Sequence, residues 1–366
     1  MKHYAGHEIR YTYICHVLTK NINLKIMKKN LRNVLVLSLG LITTIASAQW
    51  SASSNTWIDN TDSENRYGLT RSTVTLDMPG IHISGDHFMD YNPVDDYATS
   101  SQSIYEAYVS TDVMGFGTLT LGRQDLSFGS GVLVSSSNWG WNRYTTDGVD
   151  FSMELSGIDV SAGTMGGINT DVTYVNASGE FAGISIDATM IDADYDGLEV
   201  KSNAYELGYS MMNGDLNLSY TMADDGNNTD MTRMGVSYNV FENLTAFGSM
   251  TTYDGESLPG TPFVAPYSSM SMFTIDGALV GGLADCVMPH LGNGEEMMSY
   301  GISYDLGDIA FSYTMHNISE TDNDANETDL TDLSVSYQLN DNCTLGYRSY
   351  KIGDAEANFI TVGIGL

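Results

Sequence analysis

Short stretches of alternating apolar and polar residues recur along most of this chain. Ile309, Phe311 and Tyr313 alternate with small or polar residues, and the segment 360–366 repeats the pattern. Successive side chains of a β-strand point to opposite faces, so the pattern predicts strands with one apolar and one polar face. No apolar stretch after residue 48 is long enough for a spanning helix. We therefore predict an all-β protein that crosses a membrane as a single antiparallel up-and-down β-barrel.

An export signal is predicted near the start of the chain. A basic stretch precedes an apolar run at 34–45, and Ala46-Ser47-Ala48 has the small-x-small pattern of a cleavage site. The run is shorter than the roughly 20 residues of a spanning helix, which argues against the alternative of a membrane anchor. The expected segments are a mis-assigned start extension at 1–26, a signal peptide at 27–48 and the barrel at 49–366. Such a barrel lies in the outer membrane of a Gram-negative bacterium.

The charge balance excludes two classes of partner. The chain has 15 Lys and Arg against 46 Asp and Glu, for a formal net charge of −31, and nearly half of the basic residues precede Gln49. Nucleic-acid binding and adhesion to anionic lipid both depend on clustered Lys and Arg. We therefore expect no nucleic-acid partner.

Turn residues set the number of strands. Gly, Asn and Asp tolerate the positive φ of tight hairpins. Such residues separate the alternating runs at Pro79-Gly80, Ser156-Gly157, Asn213-Gly214 and Gly307-Asp308, among other places. Threading the runs as strands of about 10 residues predicts eighteen strands. Sixteen is the alternative, because the first strand and the pair at 158–178 have the weakest patterns.

One connection is much longer than the others. The segment 255–294 holds four of the six prolines of the chain, and proline cannot donate to a strand ladder. Its middle part is nevertheless too apolar for a solvated loop. We expect it to fold into the barrel mouth and narrow it, and the alternative is a self-packed cap above the rim. The predicted constriction residues are Met270, Phe273, Asp276 and Asp285.

Alternation also divides each strand into lipid-facing and lumen-facing side chains. Val149 and Phe151 are expected to face lipid, so that Asp150 and Glu154 face the lumen, and by the same reasoning Tyr105 faces lipid. The predicted pore-lining residues are Arg71, Glu106, Arg123, Asp150, Glu154, Asp187, Glu206, Arg233, Asp305 and Arg348. Acids outnumber bases in this set, which predicts a weak preference for cations. Alternatively, these charges form a static ladder along the wall.

Arg123 does not fit strict alternation. Leu119 and Leu121 are expected to face lipid, and alternation would place Arg123 beside them, where a charge costs several kcal/mol. A β-bulge at Gly122 would shift the register and turn Arg123 into the lumen. We therefore predict a bulge at Gly122.

A short motif points to a family. The segment 121–128 contains Gly-Arg-Gln and then an aromatic residue, and Trp139 and Arg143-x-x-x-Asp147-Gly148 follow. This arrangement resembles a signature of the alginate-export family of outer-membrane barrels, and the resemblance implies eighteen strands and a saccharide channel. A channel for a polyuronate should be lined with Arg and Lys, which are scarce in this chain. We therefore adopt the eighteen-stranded architecture that the resemblance implies, but not its substrate.

A calcium site is a further hypothesis. Asp192, Asp194 and Asp196 precede Gly197 in the spacing of the first half of a calcium-binding loop. The bidentate Glu at the twelfth position is replaced by Asn203. The alternative is an acidic loop tip without a bound ion, and no other cofactor is expected.

The sequence supports a channel better than an enzyme. No nucleophile motif such as Gly-x-Ser-x-Gly is present, so no catalytic residue is assigned. We predict a porin for passive diffusion of small hydrophilic solutes, in contact with outer-membrane lipid. A homo-oligomer and a monomer are both compatible with the sequence. The alternatives are a substrate-selective saccharide channel of the alginate-export type, and a non-conducting surface barrel used for adhesion or as a membrane enzyme.

Overall fold

Eighteen β-strands make up nearly all of the structure. The computed structural model describes residues 49–60, 67–92, 97–134, 143, 145–167, 170–195, 198–224, 226, 229–255, 295–320, 323–353 and 355–366. The strands are β1 (Gln49–Asp59), β2 (Tyr67–Met78), β3 (Ile81–Asn92), β4 (Tyr97–Asp112), β5 (Thr118–Gln124), β6 (Thr146–Leu155), β7 (Ile158–Gly167), β8 (Thr170–Phe181), β9 (Ile184–Tyr195), β10 (Leu198–Met211), β11 (Leu216–Asp224), β12 (Thr229–Phe241), β13 (Leu244–Gly255), β14 (Glu295–Leu306), β15 (Ile309–Glu320), β16 (Asn323–Asn340), β17 (Cys343–Ile352) and β18 (Ala355–Gly365). A 3₁₀ turn at Met212–Gly214 joins β10 to β11.

The sheet closes on itself. Each strand pairs with its neighbours in sequence, and β18 pairs antiparallel with β1, with Ser53 opposite Gly365 and Asp59 opposite Phe359. The first strand and the 158–178 pair, which have the weakest sequence patterns, are present as β1, β7 and β8. The prediction of an eighteen-stranded up-and-down barrel is therefore confirmed.

The two faces of the wall differ as the alternation requires. On β14 the outward side chains of Met298, Tyr300 and Ile302 are exposed and apolar, whereas Ser299 between them is buried on the inner face. In lipid, the backbone N–H and C=O groups of a strand can form hydrogen bonds only with the adjacent strands. Closure of the barrel gives every strand two such partners. The outer face is thus the lipid face, and the inner face is the wall of the lumen.

No helix in the part of the chain that the structure describes has the length and apolar character needed to cross a bilayer.

Candidate functional site: the channel lumen

The structure places nine of the ten predicted pore-lining residues on the inner face. Asp305, for example, lies between the exposed outward residues Tyr304 and Leu306. The nine are Arg71, Glu106, Asp150, Glu154, Asp187, Glu206, Arg233, Asp305 and Arg348. Their contribution to ion passage stays a prediction.

Arg123 lies on the outer face instead. The pairing of β5 with β4 and with β6 runs without a register shift through Gly122, so Arg123 shares a face with the exposed residues Leu121 and Val149. Its guanidinium makes a two-point ion pair with Asp147 on β6, at 3.0 Å from Nε to Oδ1 and 2.8 Å from Nη2 to Oδ2. The predicted bulge at Gly122 was wrong, because a paired carboxylate on the adjacent strand offsets the cost of the charge.

A bulge does occur, on β4. Ser84 of β3 lies opposite Glu106, and the next residue, Gly85, lies opposite Ile104, so Tyr105 is the extra residue. Tyr105 turns inward with Glu106, is 5% exposed, and its hydroxyl donates to Asp125 at 2.6 Å. The prediction that Tyr105 faces lipid was wrong, because the bulge places an extra residue on β4 and so interrupts the alternation of its side chains between the two faces.

A segment of the chain folds into the barrel after β5. In residues 125–134, the inner segment, Val132, Leu133 and Val134 are almost fully buried. The amide of Phe128 donates to the carbonyl of Val134 at 3.2 Å, which closes a compact loop. The three valine and leucine side chains form one apolar cluster with inner-face residues, namely Tyr174, Ile191, Ala204, Ala223, Met231, Met297, Ile318, Leu330, Tyr350, Ala357 and Phe359. The inner segment therefore takes up part of the lumen.

One wall carboxylate, Glu206, holds the tip of the inner segment, and a second, Asp187, lies near it. The amide of Ser130 donates to Oε1 of Glu206 on β10 at 2.8 Å. Gly129 has a φ of 54°, and a Cβ at this position would lie 3.0 Å from Oδ1 of Asp187 and closer still to Glu206. Asp187 in turn accepts from the Asn176 side chain at 2.9 and 3.1 Å. The positive φ favours glycine here, and a side chain at this position would displace the Glu206 carboxylate.

An aromatic contact also holds the inner segment against the wall. Phe128 of the inner segment lies against Tyr174 of β8, with ring centroids 4.9 Å apart. The Tyr174 hydroxyl crosses β7 and donates to Asp150 of β6 at 2.7 Å. It passes over Gly163, where a Cβ would lie only 2.6 Å from the hydroxyl oxygen. The absence of a side chain at Gly163 thus lets Tyr174 reach Asp150.

The return to β6 is anchored on the opposite side of β5. Arg143 makes an ion pair with Asp86 of β3, and its Nη2 donates to Thr73 at 3.1 Å. Its guanidinium stacks over the ring of Tyr105 at 3.4 Å from the centroid. Arg143 belongs to the sequence motif described above, and in the structure it ties the β5–β6 connection to the wall.

A cavity opens on the wall formed by β11 to β17. Its volume is about 540 Å³. Arg233, Arg348 and Asp332 are its charged lining residues, and the other lining residues include serine and threonine hydroxyls and Phe247. Arg348 pairs with Asp332 at 3.0 Å (Nε to Oδ1) and 2.6 Å (Nη2 to Oδ2). Arg233 and Arg348 thus place two guanidinium groups at this cavity.

A buried histidine lies on the same wall. His316 of β15 is 1% exposed, and its Nδ1 lies 2.8 Å from Oγ of Ser299 on β14. The hydrogen bond fixes the ring against the wall, and we assign it a structural role.

Two groups of predicted residues lie wholly or partly outside the described residues. The first group is the constriction residues Met270, Phe273, Asp276 and Asp285, and the prediction that they narrow the barrel mouth stays open. The second group is the side chains of Asp194 and Asp196. Asp192 is an exposed residue of β9 whose Oδ2 lies 3.3 Å from Nζ of Lys201. Within the described ranges no three His, Cys, Asp or Glu side chains are grouped to hold a metal ion. Calcium binding likewise stays a prediction.

Sequence reasoning missed the inner segment. The triplet Val132-Leu133-Val134 follows Gly129-Ser130-Gly131 in a connection between strands, and it has no alternation. A second signal was available, because apolar residues such as Met231 and Leu330 occupy positions of the otherwise polar inner face. Apolar side chains on a water-facing surface are normally buried by another part of a protein. Together these signals indicate a chain segment packed inside the barrel.

Several solved structures of bacterial proteins have the same fold. OccK5 (OpdH) of Pseudomonas aeruginosa has a TM-score of 0.62 and 10% identity over 88% of this chain and 98% of its own. OpdK of the same organism, solved with vanillate, has a TM-score of 0.62 and 12% identity over 88% and 99%. OccAB2 of Acinetobacter baumannii has a TM-score of 0.62 and 12% identity over 88% and 98%. At this identity the likeness shows the fold.

The sequence itself matches a family model, described as Gram-negative porin, over residues 36–358. No curated protein matches the sequence significantly. The likeness to the alginate-export family is not tested by these comparisons and stays a prediction. The match spans most of the chain and agrees with a closed barrel of eighteen strands whose wall is polar inside and apolar outside. The chain belongs to the Gram-negative porin family and is an outer-membrane porin for the diffusion of small hydrophilic solutes.

Proposed function

We propose that this porin passes small hydrophilic solutes with a weak preference for cations. The observation that carries the proposal is the inner wall from β6 to β10, where the charged side chains of the described residues are carboxylates, among them Asp150, Glu154, Asp187 and Glu206. In their hydrogen bonds to Tyr174, Asn176 and Ser130, three of them act as acceptors, as ionised carboxylates do. A wall of one sign raises the local concentration of counter-ions.

The reversal potential under a salt gradient tests this preference. In a planar bilayer with KCl at different concentrations on the two sides, we expect a reversal potential of the sign set by K⁺ permeation. Glu154→Gln, which removes an exposed lumen carboxylate, should move it toward zero. Asp308→Asn, in a turn between strands, serves as the matched control and should leave it unchanged. A reversal potential of the sign set by Cl⁻ would contradict the proposal.

A second candidate function is supported by the cavity at Arg233 and Arg348. Two guanidinium groups, hydroxyl groups and the Phe247 ring line it. This chemistry fits a small organic anion with an apolar part, and OpdK was solved with vanillate. A channel selective for such anions would use this wall in preference to the carboxylate wall.

Block of the ion current tests the second candidate. Added vanillate should reduce the single-channel current, and Arg233→Gln should weaken this block roughly 10- to 100-fold, because a hydrogen bond to a charged group contributes about 1.5–3 kcal/mol. Glu154→Gln alters a lumen charge on β6, which contributes no residue to the cavity lining, and should leave the block unchanged. Equal block in the two variants, or no block of the native channel, would sink this candidate.

We also propose that the porin forms homo-oligomers and has no catalytic activity. The porin family and the fold are those of channels, which supports the second statement. The first is supported by the exposed apolar side chains of the outer face, on which a second copy of the chain can pack.

A further inference from the structure

A histidine lies between two carboxylates on the inner face of the barrel, next to the turn that joins β2 to β3. Nδ1 of His82 lies 2.6 Å from Oδ1 of Asp77, and its Nε2 lies 3.2 Å from Oε2 of Glu106. The ring stacks on Tyr108, with centroids 4.8 Å apart and an angle of 12° between the planes. The side chains of His82 and Glu106 are each 17% exposed. Packing therefore fixes the ring with one carboxylate at each nitrogen.

Only the protonated ring of His82 can donate to both carboxylates. A neutral imidazole has one N–H donor and one acceptor nitrogen, whereas the imidazolium has two donors. In the neutral ring, the shorter contact to Asp77 favours a proton on Nδ1, and the lone pair of Nε2 then faces Glu106. Two acceptors at that distance repel each other. Loss of one proton from His82 therefore favours a movement of the Glu106 carboxylate away from the ring.

The same carboxylate holds the first residue of the inner segment. Oε1 of Glu106 accepts from the backbone amide of Asp125 at 3.2 Å, while Oε2 faces His82. The Asp125 carboxylate accepts from the Tyr105 hydroxyl at 2.6 Å, and Arg143 stacks over the Tyr105 ring. The two oxygens of Glu106 thus link His82 to the point where the chain leaves β5 and enters the barrel.

The groups around His82 differ in the pH at which their charge changes. Asp77 of β2 and Glu106 and Tyr108 of β4 face the ring, and Asp125 of the inner segment lies beyond Glu106. Aspartate and glutamate ordinarily titrate below about pH 5 and tyrosine near pH 10. Histidine is the residue type whose charge changes between about pH 5 and 8. A change of pH within this range therefore acts on this cluster through His82.

We propose that His82 is a pH switch for the docking of the inner segment. Its imidazolium keeps Glu106 in place as the acceptor for the Asp125 amide, so the segment is docked and the lumen is narrow in acidic medium. As the pH rises and the ring loses its proton, Glu106 moves, the segment is released at Asp125 and the lumen widens. This regulation does not depend on which ions or solutes the porin prefers.

Single-channel recordings in a planar bilayer with equal KCl on both sides test the switch. For the native porin, the frequency of larger conductance states should rise roughly 10-fold from about pH 5.5 to about pH 8. His82→Gln cannot change its charge in this range and should give the same frequency at both pH values. His87→Gln is the matched control, because His87 lies on the same strand with the outward residues Ile83 and Met89. It should keep the native pH dependence.

Two outcomes would overturn the proposal. One is a native channel whose conductance states do not change over this range, and the other is a pH dependence that persists in His82→Gln. The heat-modified mobility of each variant in SDS gels shows that the barrel has assembled.

A second variant distinguishes titration of His82 from a merely structural role. A carboxylate beside an imidazolium favours the charged ring, so Asp77→Asn should move the midpoint of the conductance change to lower pH. Asp77 is 55% exposed, so the change removes a charge without opening the interior. Asp308→Asn, in the turn between β14 and β15, should leave the midpoint in place. An unchanged or higher midpoint in Asp77→Asn would contradict the switch.

Discussion

Deleting residues 129–134 should raise the single-channel conductance by at least about two-fold, because the conductance of a water-filled pore follows its narrowest open cross-section. These residues hold the tip of the inner segment and the buried triplet Val132-Leu133-Val134, which packs with inner-face residues of the wall. The measurement is single-channel conductance in a planar bilayer. The heat-modified mobility of the barrel in SDS gels shows whether the variant has assembled.

A matched substitution controls for the deletion itself. Leu133→Asn keeps the length of the chain but puts an amide into the apolar cluster, where an unpaired polar group is costly. It should raise the conductance in the same direction by a smaller factor. Leu339→Asn, at an exposed position near the end of β16, should leave the conductance unchanged. A conductance equal to that of the native channel in both inner-segment variants would show that the segment does not limit the current.

Glu206→Ala should make the channel noisy and raise its mean conductance. Glu206 accepts the hydrogen bond from the Ser130 amide, and hydrogen bonds to charged groups contribute about 1.5–3 kcal/mol. Loss of this bond should increase the population of the undocked inner segment roughly 10- to 100-fold. Current noise and the frequency of larger conductance states measure that population.

Two further variants separate position from charge. Glu206→Gln keeps an acceptor oxygen for Ser130, so its conductance states should resemble those of the native channel more closely than those of Glu206→Ala. Asp305→Ala removes an exposed carboxylate of the inner face on β14, away from the inner segment, and should give no new conductance states. If Asp305→Ala and Glu206→Ala had the same effect, lumen charge and not docking would explain it.

The number of strands and the direction of most side chains could be predicted from the sequence, because alternation is a local property of each strand. Even the weak strands β1, β7 and β8 are correctly predicted. The failures come from contacts between strands. The partner of Arg123 is Asp147, on the next strand and separated by a long connection, so the sequence alone did not distinguish an ion pair from a bulge. The bulge at Tyr105 interrupts a run that reads as regular alternation.

The site was predicted less completely than the fold. Inner-face carboxylates such as Asp187 and Glu206 were predicted from alternation, but their contacts with Ser130 and Gly129 depend on a connection that packs inside the barrel. That packing is set by tertiary contacts of Val132 and its neighbours, for which the chain gives no periodic signal. The prediction placed the constriction at 255–294, outside the described residues.

The most direct test of the central claim, that the inner segment fills part of the lumen, is to compare the single-channel conductance of two deletions side by side. One removes 129–134 and the other removes 270–288, each in an assembled barrel. The structure predicts a higher conductance on removal of 129–134, whatever the effect of the second deletion. A native conductance after removal of 129–134, together with an increase after removal of 270–288, would contradict the claim and assign the constriction to the longer loop.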